Sequence, residues 1–123
     1  MTELDISIWG RNFKLPVVFK TYINGETTDL QKEAFERFQQ NSGIVDSAKQ
    51  SVEAYVMQNE QWQAGDNANN VFRYVVPRCI VIPRRKERVV GVLCHFRFDI
   101  EHGLAIVFEN EKLKEIDMED VVL

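Results

Sequence analysis

From Val71 to Ile116 the chain is a succession of apolar segments separated only by short polar tips. VFRYVV and CIVI read as one strand or two, interrupted at Pro77. VVGVLCHFRF is a long strand, GLAIVFEN another and EKLKEI a short one. Tips such as PRRKER are too short to hold a crossover helix, so consecutive strands must pair antiparallel. An antiparallel meander of this kind needs a covering layer on one face. That requirement constrains everything upstream.

The upstream segments supply the layer. LDISIW alternates, with Leu4, Ile6 and Ile8 on one side and Asp5 and Ser7 on the other, which predicts a half-buried strand. GRN is a turn signal and FKLPVVFKTYI a second strand, so residues 3–23 read as a hairpin. Pro16 cannot donate to a ladder and places its part of the strand at an edge or a bulge. Thr28 and Gln31 have the spacing of a capping box. Leu30, Ala34, Phe35 and Phe38 then recur at helical spacing, and NSG at 41–43 stops that helix. A second helix is predicted from the stripe Val45, Ala48, Val52, Tyr55, Val56 and Trp62, with Trp62 at its end. QAGDNANN, residues 63–70, is a loop, and DVVL closes the chain as a last short strand. The predicted fold class is α+β: an N-terminal β-hairpin, two helices, then an antiparallel meander with the helices on one face of the sheet. Residues 1–123 are read as a single domain.

The 123 residues suffice for one buried core, and 45% hydrophobic with 28% charged residues is a globular composition. No apolar run approaches a membrane span, and MTELDISIWGRN lacks the features of a signal peptide, so a cytoplasmic protein without membrane partners is expected. Cys79 and Cys94 sit inside apolar runs without CxxC spacing and read as free core thiols. Charge is segregated. Arg73, Arg78, Arg84, Arg85, Lys86, Arg88 and Arg97 face one acid, Glu87, in residues 71–98, whereas residues 99–123 are acidic. PRRKER could track phosphates or could be a solvated tip that deters edge pairing. No aromatic residue is interleaved in it to stack bases, and the net charge of −4 opposes a polyanion, so no nucleic-acid partner is expected.

Catalytic patterns are missing. There is no GxGxxG, Walker-type loop, HExxH or DxDxDG, and Cys94 and His95 are adjacent in a strand and point to opposite faces. The densest polar cluster is Asp99, Glu101 and His102. In an extended segment Asp99 and Glu101 share a face and His102 opposes them. A tight turn at 101–103 could gather them as a metal or acid–base site, or the three could be the polar tip of a hairpin that reverses at Gly103. The residue inventory favours a non-enzyme with no cofactor and no metal.

EHGLAIVFENEKLKEIDMEDVVL resembles the ending of a bacterial family of small domains of unknown function. The family runs EHGL-hydrophobic-x-F-x-N-G-K-L, then E-I-G-P-Q-D and a short apolar end. Glu101, His102, Gly103, Leu104, Ile106, Phe108, Asn110, Lys112, Leu113, Glu115, Ile116 and Asp120 fit. Glu111 stands where the family has Gly, and DME replaces Gly-Pro-Gln. The resemblance implies a setting similar to that of immunity proteins encoded beside secreted toxins, including those of contact-dependent growth inhibition. It implies a cognate toxin domain as the partner, with a nuclease as the expected type. An acidic surface steers a basic partner. The candidate contact residues are therefore Glu101, His102, Glu109, Glu111, Asp117 and Glu119, with Trp62 as an aromatic anchor.

Overall fold

The computed structural model describes residues 2–22, 25–63 and 70–123. Strands β1 (Glu3–Ile8) and β2 (Arg11–Phe19) form the expected hairpin. Its loop is Trp9–Gly10, one step before the predicted GRN, with φ of 50° and 84°. Two positive φ values make a two-residue loop that follows strand twist. A tryptophan in this conformation needs outside support. Its backbone N–H donates to Asp46 Oδ1 at 2.7 Å, and its indole N–H donates to the Val45 carbonyl at 3.0 Å.

β3 (Val75–Ile82), β4 (Val89–Phe96), β5 (Leu104–Glu109) and β6 (Lys112–Asp117) form the predicted meander, and the six strands lie in the order β1-β2-β3-β4-β5-β6. All neighbours are antiparallel except β2 and β3, which run parallel through Val17–Phe19 and Ile80–Ile82. Pro16 precedes this short parallel ladder, so its missing N–H falls where β2 has only β1 beside it. Pro77 does not split β3; a bulge between Pro77 and Cys79 absorbs it.

Parallel neighbours require a crossover, and the helices occupy it. Helix α1 (Asp29–Gln40) begins with the capping box read from Thr28 and Gln31. Gln31 does more than cap. It is 2% exposed. Its Oε1 accepts from the Thr28 N–H at 2.9 Å, while its Nε2 donates to the carbonyls of Lys20 (2.7 Å) and Ile82 (3.1 Å). One amide thus joins the helix start to the ends of both parallel strands.

The predicted second helix is divided. α2 (Ile44–Ser47) and α3 (Lys49–Met57) break at Ala48, whose N–H bonds three residues back to Val45 in a tightened turn. The Val45 carbonyl also serves Trp9, a tertiary demand that the helical stripe did not reveal. α3 stops at Met57, and Trp62 lies beyond it rather than in its last turn. Asn59 Oδ1 takes the N–H of Gln61, a local bond that competes with helix continuation. VFR (Val71–Arg73) is a 3-10 turn and not strand. Val71 and Tyr74, both buried and three apart, lie on one side of such a turn.

The main core lies between the sheet and the helices and includes Phe38, Val52, Val56, Ile80, Val92, Phe96, Ile106 and Phe108. A smaller core occupies the opposite face: Cys79, Val81, Val89, Leu93, Ala105 and Val107. Its cover is the C-terminus. DVVL does not form a strand; Glu119–Val122 is a 3-10 turn laid across that face. Val122 packs over Gly91, where a Cβ would come within 2.9 Å of it. Glu119 pairs with Arg78 at 2.8 Å, and Arg85 donates to the Val121 carbonyl at 2.8 Å. Among the described residues no helix is long and apolar enough to cross a membrane.

Candidate partner-binding surface

β4 and β5 are joined by the turn 97–103. Asp99 organises it. One oxygen accepts the His102 N–H at 3.1 Å, and the carboxylate pairs with His102 Nδ1 at 3.0 Å. The Gly103 N–H closes the turn on the Asp99 carbonyl at 2.9 Å, with Gly103 at φ 61°. The hydrogen bond and charge of Asp99 hold the His102 imidazolium above its ordinary pKa. The extended-chain expectation is thus corrected: Asp99 and His102 come together, and the exposed Glu101 stays outside their pair. Among the described residues no cluster of three or more His, Cys, Asp or Glu could hold a metal ion.

The thiols lie on opposite faces of the sheet, Cys79 in the small core and Cys94 in the large one, and neither forms a disulfide. Burial pushes both up in pKa, Cys94 far up, so neither is a thiolate at neutral pH.

The candidate contact residues divide between the two ends of the sheet. Glu109 and Glu111 lie at the β5–β6 turn. Glu109 pairs with Lys114 at 3.2 Å, and Glu111 takes Arg88 through two bonds, of 2.9 and 3.1 Å. Glu101, His102, Asp117 and Glu119 gather at the opposite end, where the Glu119 N–H donates to the His102 carbonyl at 3.0 Å. Glu119 is buried with its carboxylate on Arg78, and Asp117 accepts the Met118 N–H at 2.8 Å. Trp62 also belongs to this end. Its indole packs on Tyr74, and Tyr74 packs on Phe98, with ring centroids 5.6 and 5.3 Å apart. Gln61 fixes the segment by donating to the Phe98 carbonyl at 2.7 Å.

Beside this stack lies a feature that the sequence reading missed. Two depressions, of about 390 and 300 Å³, each have Arg73, Tyr74 and Arg97 in their walls. One continues over Gln61 and Phe98, the other over Val76, His95 and Ile100. The register explains the convergence. Val75 lies opposite Phe96, and the Arg97 N–H donates to the Tyr74 carbonyl at 2.8 Å. Arg73–Tyr74 and Arg97–Phe98 are therefore neighbours across the sheet end. Both arginines are exposed, and neither has a carboxylate within 4.0 Å among the described residues. Two Arg-aromatic dipeptide steps at matching strand ends were the available signal. At the other end the basic tip acquires an aromatic neighbour that its sequence lacks, since Arg84 lies 4.6 Å over the ring of Tyr22, itself 72% exposed.

The fold and this surface define a small α+β protein with a six-stranded sheet and depressions bordered by Arg73 and Arg97 at its β4–β5 end. Residues 2–123 match the family described as Domain of unknown function (DUF6985), and the chain belongs to it. Neither the comparison with curated proteins nor that with solved structures returned a match.

Proposed function

We propose that the chain is a non-catalytic binding protein: an immunity protein that captures a cognate bacterial toxin domain and blocks its active site. The observation that carries this reading is the concave surface at the β4–β5 end. Arg73, Arg97, Phe98 and Ile100 line the depressions there, and Trp62 packs on Tyr74 in their wall. Glu101 and His102 follow Ile100 in the turn and are exposed, and the turn chemistry of Asp99 and His102 is already satisfied within the chain. A few aromatic and charged anchors around a concavity are what a tight protein contact needs. The toxin identity rests on the C-terminal resemblance. A nuclease suits the exposed Glu101 beside this surface, because an enzyme that attracts phosphate presents basic groups to such an acid.

Coexpression with the reading frames adjacent to this gene tests the proposal, which requires one of them to encode a toxin domain. Copurification and rescue of growth are expected, with rescue weakened by Trp62→Ala and Glu101→Lys. A pair that neither copurifies nor rescues growth contradicts it. A second reading, a nucleic-acid-associated module at residues 84–88, is favoured by the Tyr22–Arg84 contact. It requires retention on DNA at low salt that falls steeply as salt rises, and no retention removes it.

A further inference from the structure

We infer that the groove shared by Arg73, Tyr74 and Arg97 is a docking site for an extended protein segment in which carboxylates flank an apolar side chain. The claim concerns the chemistry of the docked segment and goes beyond the toxin reading: it holds whether or not the partner is a toxin.

Charge is the first argument. At the opposite end of the sheet Arg88 is engaged with Glu111, and across the second face Arg78 is engaged with Glu119. Arg73 and Arg97 have no such partner among the described residues, and they border the same two depressions. A guanidinium offers a planar fork of donors that matches a carboxylate in two parallel bonds. Two of them bordering one depression fit two carboxylates better than one.

Shape and polarity are the second. The depression over Val76, His95 and Ile100 is walled mainly by apolar atoms, and Ile100 is 86% exposed on its lip. An isoleucine held in water at the rim of an apolar depression gains by burial against a partner side chain. Both depressions have volumes of the order of the lower end of binding pockets, about 300–1,000 Å³.

The same facts disfavour a nucleic acid in this groove. Base stacking needs free aromatic faces, but Tyr74 is 4% exposed and packed between Trp62 and Phe98. The turn bearing Arg97 also carries Asp99 and the exposed Glu101, which repel an evenly charged phosphate backbone. A peptide with separate carboxylates can meet the arginines and leave these acids in water.

The test is an amide chemical-shift titration of the full chain with the capped peptide acetyl-Gly-Glu-Phe-Glu-Gly-amide, and with its lysine counterpart acetyl-Gly-Lys-Phe-Lys-Gly-amide. Saturable shifts are expected at Arg73, Tyr74, Val76, Arg97, Phe98 and Ile100 with the glutamate peptide only. Arg73→Glu combined with Arg97→Glu should weaken binding by about tenfold or more. Ile100→Ser, at an exposed position, should weaken it by about threefold without disturbing the charges. Shifts that are missing, equal for the lysine peptide, or centred elsewhere overturn the inference. An oligothymidylate that shifts these same amides more strongly overturns it in favour of a nucleic-acid groove. Failure to rescue cells from a toxin leaves the titration result standing, so the two readings fail separately.

Discussion

At the end of the sheet where β5 turns into β6, charged groups satisfy one another: Glu111 holds Arg88 through two bonds and lies 3.9 Å from Arg37, and Glu109 holds Lys114. At the end where β4 turns into β5, Arg73, Arg97, Glu101 and Ile100 face water around a concave surface. Both ends are built from hairpin turns of a single meander. They differ in where strain and charge are placed. The β5–β6 turn puts Asn110 and Glu111 at φ of 51° and 61°, and Glu111 gains an ion pair from that conformation. The β4–β5 turn puts its positive φ on glycine, at Gly103, and uses Asp99 to hold its backbone. The β5–β6 turn is closed on itself, whereas Arg73, Arg97 and Glu101 beside the β4–β5 turn stay exposed, as do Arg84 and Lys86 at the β3–β4 tip.

The largest expected effect probes the glycine at the open end. A Cβ at Gly103 would lie 2.4 Å from Glu119 Oε1, and the left-handed backbone adds its own cost. Gly103→Ala should lower unfolding free energy by about 2–4 kcal/mol in denaturant titrations, because it also displaces the C-terminal turn from the small core. A change within about 0.5 kcal/mol would show that the turn does not depend on that approach.

Next is Gln31, at the closed end. Gln31→Ala strands the carbonyls of Lys20 and Ile82 and removes half of the capping box. A loss of about 2–3 kcal/mol is expected, measured by chemical or thermal denaturation. A loss below about 1 kcal/mol would mean that water replaces the amide.

Glu111 separates strain from charge. Glu111→Gly relieves the left-handed backbone but loses Arg88, so the two effects should cancel to within about 0.5 kcal/mol. Glu111→Ala loses the ion pair and keeps the strain, costing about 1 kcal/mol. Equal stability of the two variants would contradict this partition.

The smallest effect is electrostatic. His102 titrates above its ordinary value because Asp99 stabilises the charged ring. A raised folded-state pKa stabilises the fold fully below the unfolded value, and that contribution is lost as pH rises through the folded value. NMR titration should show the His102 pKa fall toward 6.5, the ordinary histidine value, in Asp99→Asn. An unchanged pKa would show that Asp99 does not act on the ring.

Local signals carried much of the fold. Alternation located the hairpin and meander, Thr28 and Gln31 marked the helix start, and Gly103 marked the reversal. What was hidden depended on distant partners. The break at Ala48 reflects Trp9 reaching Val45, and the C-terminal turn reflects Arg78 and Gly91 receiving Glu119 and Val122. The groove was hidden for the same reason, since Arg73 and Arg97 meet only through the β3–β4 register. Sequence proximity nominated Glu109, Glu111 and Glu119 together with Glu101, but three of those four carboxylates engage basic side chains of this same chain.

The most direct test of an open binding end is residue-resolved amide hydrogen exchange of this chain, alone and with the toxin domain proposed as its partner. Slowed exchange at residues 71–76 and 95–103, with 83–88 and 109–114 unchanged, is the predicted result. Protection confined to 83–88 and 109–114, or no protection anywhere, would contradict the account.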